Sequence, residues 1–511
     1  MRNRRLANDA AIVALVMSLA IAVKVGQVFC ASPEVQRYHP TVVDNLSYID
    51  ANDIKMIVSN HGSFAYDLSS QSAGLWFPKG TDHRCVFASG PWLGAKVDGE
   101  IRVAIGGYAQ EYGPGIILPS GLPDDPYKAE HKVYKIVKGD TASSDYINWP
   151  VVYGAPVDGN GRPLILGDQT LWCVYNDADP YLHNTDEGST EPLGVEIQQT
   201  TYAFDYRQPL GNTVFVRFKI INKGTHTLDS TYFSLWCDPD IGGSSDDYVG
   251  CDSALCVGFG YNATDSDPIY GSRPPCVGYD LLQGPLGDSG AELGMTSFSR
   301  FVLGGDPGNG TETYNLMRGL NSDGSSVIDP TTGLPARYAV LGDPVSGTGW
   351  LDSIPGDKRF MLNSGPFRVV PGDTQQVVVG IVIGQGQNRI ASVQIMKMYD
   401  DYVQRVHDCG YASGVTQGNP GSISLSAYPN PARYEMSFSY AQPVLEAVRL
   451  SIYAPTGQAI RTFIDARLDG RQGRAVWDLR DDSGAEVPSG IYFLRMEAGS
   501  YRVTKKVVLV R

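Results

Sequence analysis

The segment TVFVRFKIINKG, residues 213–224, decides the fold class because its side chains repeat with a period of two. One set of side chains faces one way, Val214, Val216, Phe218 and Ile220, and the other set faces the opposite way, Phe215, Arg217 and Lys219. Such alternation is typical of a β-strand with one buried and one solvated face, whereas a helix repeats every three to four residues. We therefore predict a strand whose first face is core and whose second face is wet.

The same alternation recurs on both sides of this segment. It is found in VEIQQTTYAFDY (195–206), LDSTYFSLWCD (228–238) and FRVVPGDTQQVVVGIVIGQG (367–386), which are separated by turn-forming residues. Between residues 40 and 190, short apolar runs alternate with turns, and Asp98-Gly99 is a hairpin signal because both residues accept positive φ angles. The predicted fold class is mainly all-β, a multi-domain β-sandwich or immunoglobulin-like arrangement.

One segment breaks the β pattern. From Arg389 to His407, apolar residues recur at spacings of three and four, and Gly410 follows as a stop signal. We expect a single helix near residues 389–407, packed on a sandwich.

The totals bound the class of protein. The chain has 511 residues, of which 42% are apolar and 19% charged, enough for two or three folded domains. Its net charge is −14, and the acidic excess lies between residues 32 and 421. We exclude nucleic acid as a partner, since binding its phosphates requires a basic surface.

The start of the chain predicts an export signal. Arg2, Arg4 and Arg5 form a basic region before the apolar run from Ala10 to Val23, which is short for a membrane span. Cleavage is expected near Cys30 or Ala31, and the alternatives are a lipid anchor on Cys30 or an uncleaved anchor. We expect no transmembrane span in the mature chain.

These signals divide the chain into five parts. They are a signal peptide (1–31), an N-terminal β region (32–194), a β-sandwich with long acidic loops and the packing helix (195–410), a small-residue linker (411–421) and a compact β module (422–511).

The module carries an ordered set of motifs. They are Tyr428-Pro429-Asn430-Pro431, a hairpin with Gly457, Trp477-Asp478, Gly484, Pro488-Ser489-Gly490 followed by Ile491-Tyr492, and a last strand with Lys505 and Lys506. In this order, the motifs resemble the type A C-terminal sorting domain of the type IX secretion system, which is similar to an immunoglobulin-like module of flagellar hook-capping proteins.

The resemblance implies a route and a partner. The signal peptide would carry the chain across the inner membrane, and an outer-membrane secretion translocon would read the folded module. The residues that match the sorting signal are Pro429, Asn430, Pro431, Gly457, Trp477, Asp478, Gly484, Gly490, Tyr492, Lys505 and Lys506. The expected location is the outer cell surface or the extracellular medium. The alternative is an immunoglobulin-like domain that sorts nothing.

The segment DPDIGGSSDDYVGCD, residues 238–252, is the main candidate for a metal site. Its carboxylates are Asp238, Asp240, Asp246, Asp247 and Asp252. Calcium prefers six to eight oxygen ligands, which such a loop can supply, although the spacing is not that of an EF-hand. A solvated acidic turn and a catalytic site are the alternatives. Asn176, Asp177 and Asp179 form a weaker second candidate.

No catalytic residue is predicted. The GDSGA segment (287–291) resembles a protease nucleophile turn, but no histidine has the matching context, so we interpret Ser289 as part of an ordinary turn. Carboxylates for glycoside hydrolysis converge in space rather than in sequence, and the candidates are Glu191, Glu196, Asp205 and Glu292.

Cysteine and tryptophan leave two further alternatives. Cys237, Cys251, Cys256 and Cys276 are close enough in sequence for one or two disulfides, and buried thiols are the alternative. Trp76, Trp92, Trp149 and Trp172 can line a sugar-binding surface, but at strand spacing they are more often core.

Together these features predict an exported cell-surface or secreted protein. Its larger part is expected to be structural or adhesive, binding a surface polysaccharide or protein, and the alternative function is that of a secreted hydrolase. A flat aromatic strip would favour the binder, and a deep cleft with two facing carboxylates the hydrolase.

Overall fold

The computed structural model describes most of the chain. The described residues are 45–108, 110–408, 424–428, 430–433, 435–441, 448–464, 472–498 and 501–510. The predicted signal peptide (1–31), the linker (411–421) and Pro429 lie outside these residues. We call the described residues up to 408 the body and those from 424 onward the tail module.

The body is built from antiparallel strands with few helices, which confirms the predicted fold class. Its strands are β1 (Leu46–Ile49), β2 (Lys55–Ser59), β3 (Tyr66–Asp67), β4 (Ser72–Ala73), β5 (Leu75–Trp76), β6 (Arg84–Val86), β7 (Ala88–Val97), β8 (Glu100–Ala104), β9 (Gly113–Pro114), β10 (Tyr134–Val137), β11 (Gln169–Asn176), β12 (Val195–Ala203), β13 (Thr213–Asn222), β14 (Leu228–Asp238), β15 (Asp247–Asp252), β16 (Val257–Asn262), β17 (Cys276–Gln283), β18 (Ser297–Val302), β19 (Lys358–Val369) and β20 (Thr374–Gly384). The helices are α1 (Ser144–Ile147), α2 (Gly310–Met317) and α3 (Arg389–Asp408), with 3₁₀ turns at Ala129–His131, Val151–Tyr153 and Leu210–Asn212.

Two large sheets face each other across the main core of the body. The first runs β10-β11-β12-β13-β20-β17-β16-β15, with β9 added to β11, and the second runs β18-β19-β14-β7-β8. A smaller sheet, β1-β2-β5-β6, and the pair β3-β4 flank them. Buried apolar residues from both large sheets form one continuous cluster, so the body is a β-sandwich.

Strand β13 shows how the sequence pattern produces this arrangement. Its first predicted face, Val214, Val216, Phe218 and Ile220, is buried in the core between the sheets. The second face is only partly wet, because Phe215 is fully buried beside Val403 of α3, whereas Lys219 is exposed. The helix covers part of the outer face of the sheet, which the strand pattern alone does not reveal.

The boundary expected near residue 195 falls inside this sandwich. Strand β11, before the boundary, pairs along its whole length with β12, after it. Likewise β7 pairs with β14 in the second sheet. Residues on both sides of position 195 therefore share both sheets and one core, and the turn between β11 and β12 connects neighbouring strands of one sheet.

Helix α3 lies where the sequence predicts it. Val393, Met396 and Val403 are fully buried against the first sheet, at the spacing of one helical face. None of the helices in the described part of the chain combines the length and apolarity needed to cross a membrane.

Helix α2 is an element that the sequence analysis missed. It has eight residues, and Asn309 caps it by accepting hydrogen bonds from the backbone N–H groups of Thr311 and Glu312. The helix packs on β7 at Gly94, where an added Cβ would lie 2.6 Å from the Met317 sulfur. The Asn309…Glu312 spacing resembles a capping box and is the signal that could have revealed the helix.

The six cysteines that the structure describes are free thiols. They are Cys85, Cys173, Cys237, Cys251, Cys256 and Cys276. The disulfides considered among the last four are therefore wrong, and the alternative of buried thiols holds for Cys237, Cys251 and Cys276, while Cys256 is half-buried.

The tail module has its own strands and its own core. Its strands are β21 (Ser424–Tyr428), β22 (Met436–Ala441), β23 (Val448–Tyr453), β24 (Ala459–Ile464), β25 (Gln472–Trp477), β26 (Gly490–Ala498) and β27 (Tyr501–Leu509). They form two sheets, β21-β22-β25 and β24-β23-β26-β27, whose buried residues make a cluster separate from those of the body. Seven short strands around one core are enough for a small sandwich.

A buried carboxyl pair lies under helix α3. Asp280 of β17 and Asp400 of α3 are 0% and 1% exposed, and no other described group forms a hydrogen bond with their four carboxyl oxygens. Burial raises the pKa of Asp400 to about 8, and burial together with Asp400 raises the pKa of Asp280 well above its ordinary value. Four neighbouring groups also raise the pKa values of the pair, and they are Cys256, Asp252, Asp401 and Asp408. The nearby Lys397 lowers the pKa of Asp400. At neutral pH the pair therefore keeps a proton.

We predict that Asp400→Asn changes the pH dependence of stability. The folded chain holds a proton on Asp400 that the unfolded chain releases near pH 4, so the free energy of unfolding falls as pH rises from about 4 to about 8. One retained proton gives a slope of about 1.4 kcal/mol per pH unit. The variant should melt at a higher temperature than the wild type at pH 8–9 and at a similar temperature at pH 4–5.

Melting curves between pH 4 and pH 9 test this. Asp401→Asn, at an exposed acid on the same helix that adds only a minor repulsion at the pair, should keep the fall in stability between pH 4 and pH 8. A profile unchanged by Asp400→Asn would show that the pair does not retain a proton.

Candidate functional site

The first candidate site is the end of the tail module, where Asn430 holds the last strand in place. Its side-chain Nδ2 donates to the Lys506 carbonyl at 3.1 Å, and its Oδ1 accepts from the Val508 N–H at 2.8 Å. Next to it, Ala432 exchanges backbone hydrogen bonds of 2.9 Å with Val508 and Val510. The outer edge of β27 is therefore closed from residue 506 to residue 510, where an unpaired strand edge would otherwise be left.

Trp477 and Tyr492 form the centre of the module. Trp477 is fully buried, packs edge-on against Tyr492 with ring centroids 6.2 Å apart, and donates its indole N–H to the Arg480 carbonyl. The Tyr492 hydroxyl donates to the Pro488 carbonyl at 2.9 Å. Both aromatic rings thus fill the core while their polar atoms are satisfied, as buried Trp and Tyr require.

The glycines of the motif serve the turns. Gly457 and Gly484 have φ angles of +85° and +84°, which disfavour any residue with a side chain. In each turn the glycine N–H donates to the carbonyl three residues earlier, Ala454 or Asp481. Gly490 is the first residue of β26.

The remaining motif residues lie on the surface of the module. Asn430, Pro431, Asp478 and Lys506 are exposed, and Lys505 is half-buried on the face that also carries Val507. Asp478 accepts a hydrogen bond from the Arg480 backbone. These side chains are accessible to a partner without unfolding the module.

The second candidate site is the acidic segment at the end of β14. Asp238, Asp240 and Asp357 each present one carboxylate oxygen, and these three oxygens lie within 4.8 Å of one another. The antiparallel register of β14 and β19 explains their meeting, because Cys237 pairs with Phe360 and continuing that register places Asp240 opposite Asp357.

Arg359 is the cation of this cluster. Its guanidinium lies 3.2 Å from Asp238 Oδ2, 3.8 Å from Asp306 Oδ1 and in hydrogen-bond contact with Asp357 Oδ1. Its Nε also donates to the Tyr108 hydroxyl at 3.3 Å. One buried guanidinium thus contacts three carboxyl groups and also interacts electrostatically with a fourth, Asp240.

Burial and neighbouring charges shift the pKa values of the acids in this cluster. Burial, with added repulsion from Asp357, raises the pKa of Asp240 to about 7, although Arg359 opposes the shift. Burial also raises the pKa of Asp238 well above its ordinary value, and Asp240 adds to that shift. These carboxyls therefore carry less negative charge at neutral pH than free aspartates.

The other predicted metal ligands have different partners. Asp247 is fully buried and accepts the Ile241 N–H at 3.0 Å, so it holds the loop that follows Asp240. Asp246 lies near Gly243, whose N–H is bound by Asp267. Asp252, at the far end of β15, pairs with Lys397 of α3 at 2.9 Å. Only two of the five predicted aspartates thus meet, and Asp357, Asp306 and Arg359 were missed because they lie far away in the sequence.

In the weaker candidate metal site around Asn176, the polar side chains form hydrogen bonds with groups of the protein. Asp177 is fully buried and accepts the N–H groups of Leu193 and Val195, and burial raises its pKa although His183 opposes the shift. Asn176 donates to the Gly115 carbonyl, and Asp179 accepts from Tyr181. These contacts fix the loop after β11.

The residues considered for catalysis lie on separate elements. Ser289 belongs to a tight turn closed by the Gly287 N–H on the Ala291 carbonyl, in line with the expectation. Glu196 is buried in β12 and accepts the Ile117 N–H, while Glu292 accepts the Gly284 N–H. Glu191 and Asp205 are exposed.

Three of the four tryptophans considered for sugar binding are core residues. Trp92, Trp149 and Trp172 are 3%, 7% and 1% exposed. Trp76 is half-buried, and its ring lies under Lys55 and Arg84. The described residues from this set therefore do not form an aromatic strip on the surface.

Comparison with known proteins identifies the tail module. Residues 426–510 match the model of the secretion system C-terminal sorting domain, which confirms the resemblance to the type IX sorting domain. No curated protein shows significant sequence similarity to the chain. The sorting domain implies export to the cell surface or the extracellular space and an interaction with the secretion system.

Several solved structures align with larger parts of the chain at low similarity. A polysaccharide lyase covers 61% of this chain and 34% of its own at 7% identity and a TM-score of 0.18. A bacterial glucoamylase covers 73% and 39% at 10% identity and a TM-score of 0.29. Latent PorU from Porphyromonas gingivalis covers 91% and 32% at 10% identity and a TM-score of 0.16. The chain spans about a third of the length of these structures, and the TM-scores do not define a shared fold.

We predict that Asn430→Ala loosens the last strand. Losing two hydrogen bonds should lower the stability of the module by about 1–2 kcal/mol. The N–H of Val508 donates a hydrogen bond to the Asn430 side chain, so in the variant this amide should exchange with deuterium at least about fivefold faster. Hydrogen-exchange mass spectrometry on the full chain measures this.

Lys506→Ala is the matched control, since it removes an exposed side chain but keeps the carbonyl that Asn430 binds. Equal acceleration in both variants would contradict a specific role of the Asn430 side chain.

Proposed function

We propose that the tail module is the sorting signal that an outer-membrane secretion translocon recognises. We further propose that the body is a structural or adhesive module delivered to the cell surface or the medium. The observation that carries this proposal is the match of residues 426–510 to the sorting domain. The module supports it physically, because its core, turns and edge strand are satisfied within the module, so it can fold and be read as a unit.

The surface of the module suggests where it is read. The exposed lysine Lys506 and the half-buried Lys505 lie next to the strand end that Asn430 closes. The two lysines are neighbours on a strand that pairs with β26, so their side chains leave opposite faces of the sheet. A partner that contacts this strand can therefore meet both positive charges.

The body supports an adhesive role through exposed apolar residues on its loops. Ile147, Val151 and Val152, which we call the apolar rim, are 68%, 48% and 87% exposed within six residues. Ile147 ends α1, and Val151 and Val152 begin the following 3₁₀ turn, next to the buried cluster of Trp149 and Trp172. Apolar groups held in water on an ordered loop are typical of a contact surface.

We include three further points in this proposal. The module is immunoglobulin-like, the N-terminus carries an export signal, and the body binds a surface polysaccharide or protein. The hydrolase alternative requires two carboxylates facing each other across a cleft, and the acids considered for it bind backbone groups of separate elements or are exposed. The geometry therefore favours a binding or structural protein.

Deleting residues 422–511 tests delivery. We expect the truncated protein to accumulate inside the outer membrane, while the wild type reaches the cell surface or the medium, as measured by fractionation and immunoblotting. Fusing residues 422–511 to an unrelated exported cargo should carry that cargo outward. Release of the truncated protein to the medium would contradict the proposal.

A double variant separates address from folding. Lys505→Ala with Lys506→Ala should reduce surface delivery at least about tenfold if the two charges contribute a few kcal/mol to recognition. Arg502→Ala, at an exposed position of the same strand outside the matched motifs, should leave delivery in place. Full delivery of the lysine variant would show that the address lies elsewhere on the module.

The apolar rim makes a separate prediction. Ile147→Ser with Val152→Ser should weaken binding of the purified protein to intact cells at least about fivefold, since it removes exposed apolar area from the contact. Leu303→Ser, at a residue that is 64% exposed after β18, is the control. Equal binding by all three proteins in a cell-sedimentation assay would rule out the rim as the contact.

A further inference from the structure

We propose that Asp238, Asp240 and Asp357 bind a hard divalent cation, calcium, where β14 and β19 end. This inference concerns the body and does not depend on the proposed function of the tail module. It replaces the ligand set expected from the sequence with one that the strand register brings together.

The site begins with a preformed geometry. The three carboxylates offer oxygens within 4.8 Å of one another, a spacing at which one cation can contact all three. Asp238 lies on the ladder of β14, and Asp357 immediately precedes β19. One ligand therefore lies on a paired β-ladder, and a second lies directly next to one.

Unsatisfied oxygens point to a ligand that the protein itself does not supply. Asp238 is 2% exposed, and its Oδ1 has no hydrogen-bond partner among the described residues. The Oδ1 atom of Asp240 is equally buried and has no described partner. A buried carboxylate oxygen without a donor is costly, and a bound cation would remove that cost.

A third buried oxygen lies close to the same region. Asp247 is fully buried, one of its oxygens holds the Ile241 N–H, and the other, Oδ1, has no described partner. The backbone of Asp247 bridges to Gly356, the residue before Asp357. Asp247 therefore holds both segments of the site in place, the loop after Asp240 and the chain before Asp357.

The charge balance leaves room for a cation beside Arg359. Asp238, Asp240, Asp306 and Asp357 face this one guanidinium. Arg359 binds Oδ2 of Asp238 and Oδ1 of Asp357, so it orients these carboxylates while leaving the second oxygen of each to another partner. When all four acids are ionised, one base leaves an excess of negative charge, which a divalent cation can neutralise in place of protons.

The donor set selects the kind of cation. All three ligands are carboxylates, which suit calcium or magnesium, and no cysteine or histidine belongs to the group. Calcium accepts irregular coordination completed by water and carbonyl oxygens, whereas magnesium requires near-octahedral geometry at short distances. A site fixed by strand ends and an arginine therefore favours calcium.

Calcium titration of the purified full chain tests the proposal. Calcium chloride should raise the melting temperature of the wild type relative to EDTA. Asp240→Asn and Asp357→Asn should weaken calcium binding at least about tenfold. In EDTA, Asp240→Asn should be at least as stable as the wild type, because the variant no longer buries an acid without its cation. If Asp240 only stabilised the fold, the variant would instead be less stable than the wild type.

Asp252→Asn is the matched control. Asp252 belongs to the same acidic segment but pairs with Lys397, so its variant should keep wild-type calcium affinity. Terbium luminescence gives a second measurement that does not depend on stability, because the Tyr108 hydroxyl accepts a hydrogen bond from Arg359 and its ring centroid lies 5.0 Å from that of Trp236. Emission should be lost in Asp357→Asn and kept in Asp252→Asn.

Three results would overturn the proposal. The first is a wild type that shows neither a calcium-dependent melting shift nor terbium emission, in which case protons neutralise the cluster. The second is loss of binding in Asp252→Asn to the same extent as in Asp240→Asn. The third is a magnesium affinity equal to that for calcium, which would reject the proposed selectivity.

Discussion

The contact between Phe218 and Phe233 is the interaction on which the body depends. Phe218 projects from β13 in the first sheet and Phe233 from β14 in the second, and their ring centroids lie 5.6 Å apart in the core. The outer faces of both sheets also carry buried apolar residues, so each sheet has a second cover over part of that face. Helix α3 covers part of the first sheet, and α2 packs on the second.

This double burial determines where charges are tolerated. A charged residue in the middle of β14 would face a packed core on either side, so the acids stand at the strand end, at Asp238 and Asp240. There they meet the start of β19, and Arg359 compensates part of their charge. The same logic applies under α3, where Asp280 and Asp400 escape the cost of charge by keeping a proton instead of gaining a basic partner. Burial is common to both clusters, and the neighbouring groups decide between a counter-ion and a proton.

The tail module buries its apolar side chains in a smaller core than that of the body. With two sheets of three and four strands, it has little core to spare, and Trp477 and Tyr492 supply much of it. The last strand lies at an edge, and Asn430 and Ala432 close that edge near the chain end. A side chain near the start of the module thus depends on the register of its last strand, which explains why motifs about 75 residues apart belong to one signal.

The local features of this protein can be predicted from its amino-acid sequence alone. Period-two alternation predicts β13, helical spacing predicts α3, and the ordered motifs from Asn430 to Lys506 identify the sorting module, because each of these signals is contained in a short stretch or in a fixed order of stretches. The pairing of the strands, in contrast, follows from the tertiary structure. No local pattern states that β7 lies beside β14 or that Asp240 stands opposite Asp357, since register depends on the packing of whole sheets. For that reason five neighbouring aspartates separated into different environments, and the acids that meet come from segments more than a hundred residues apart.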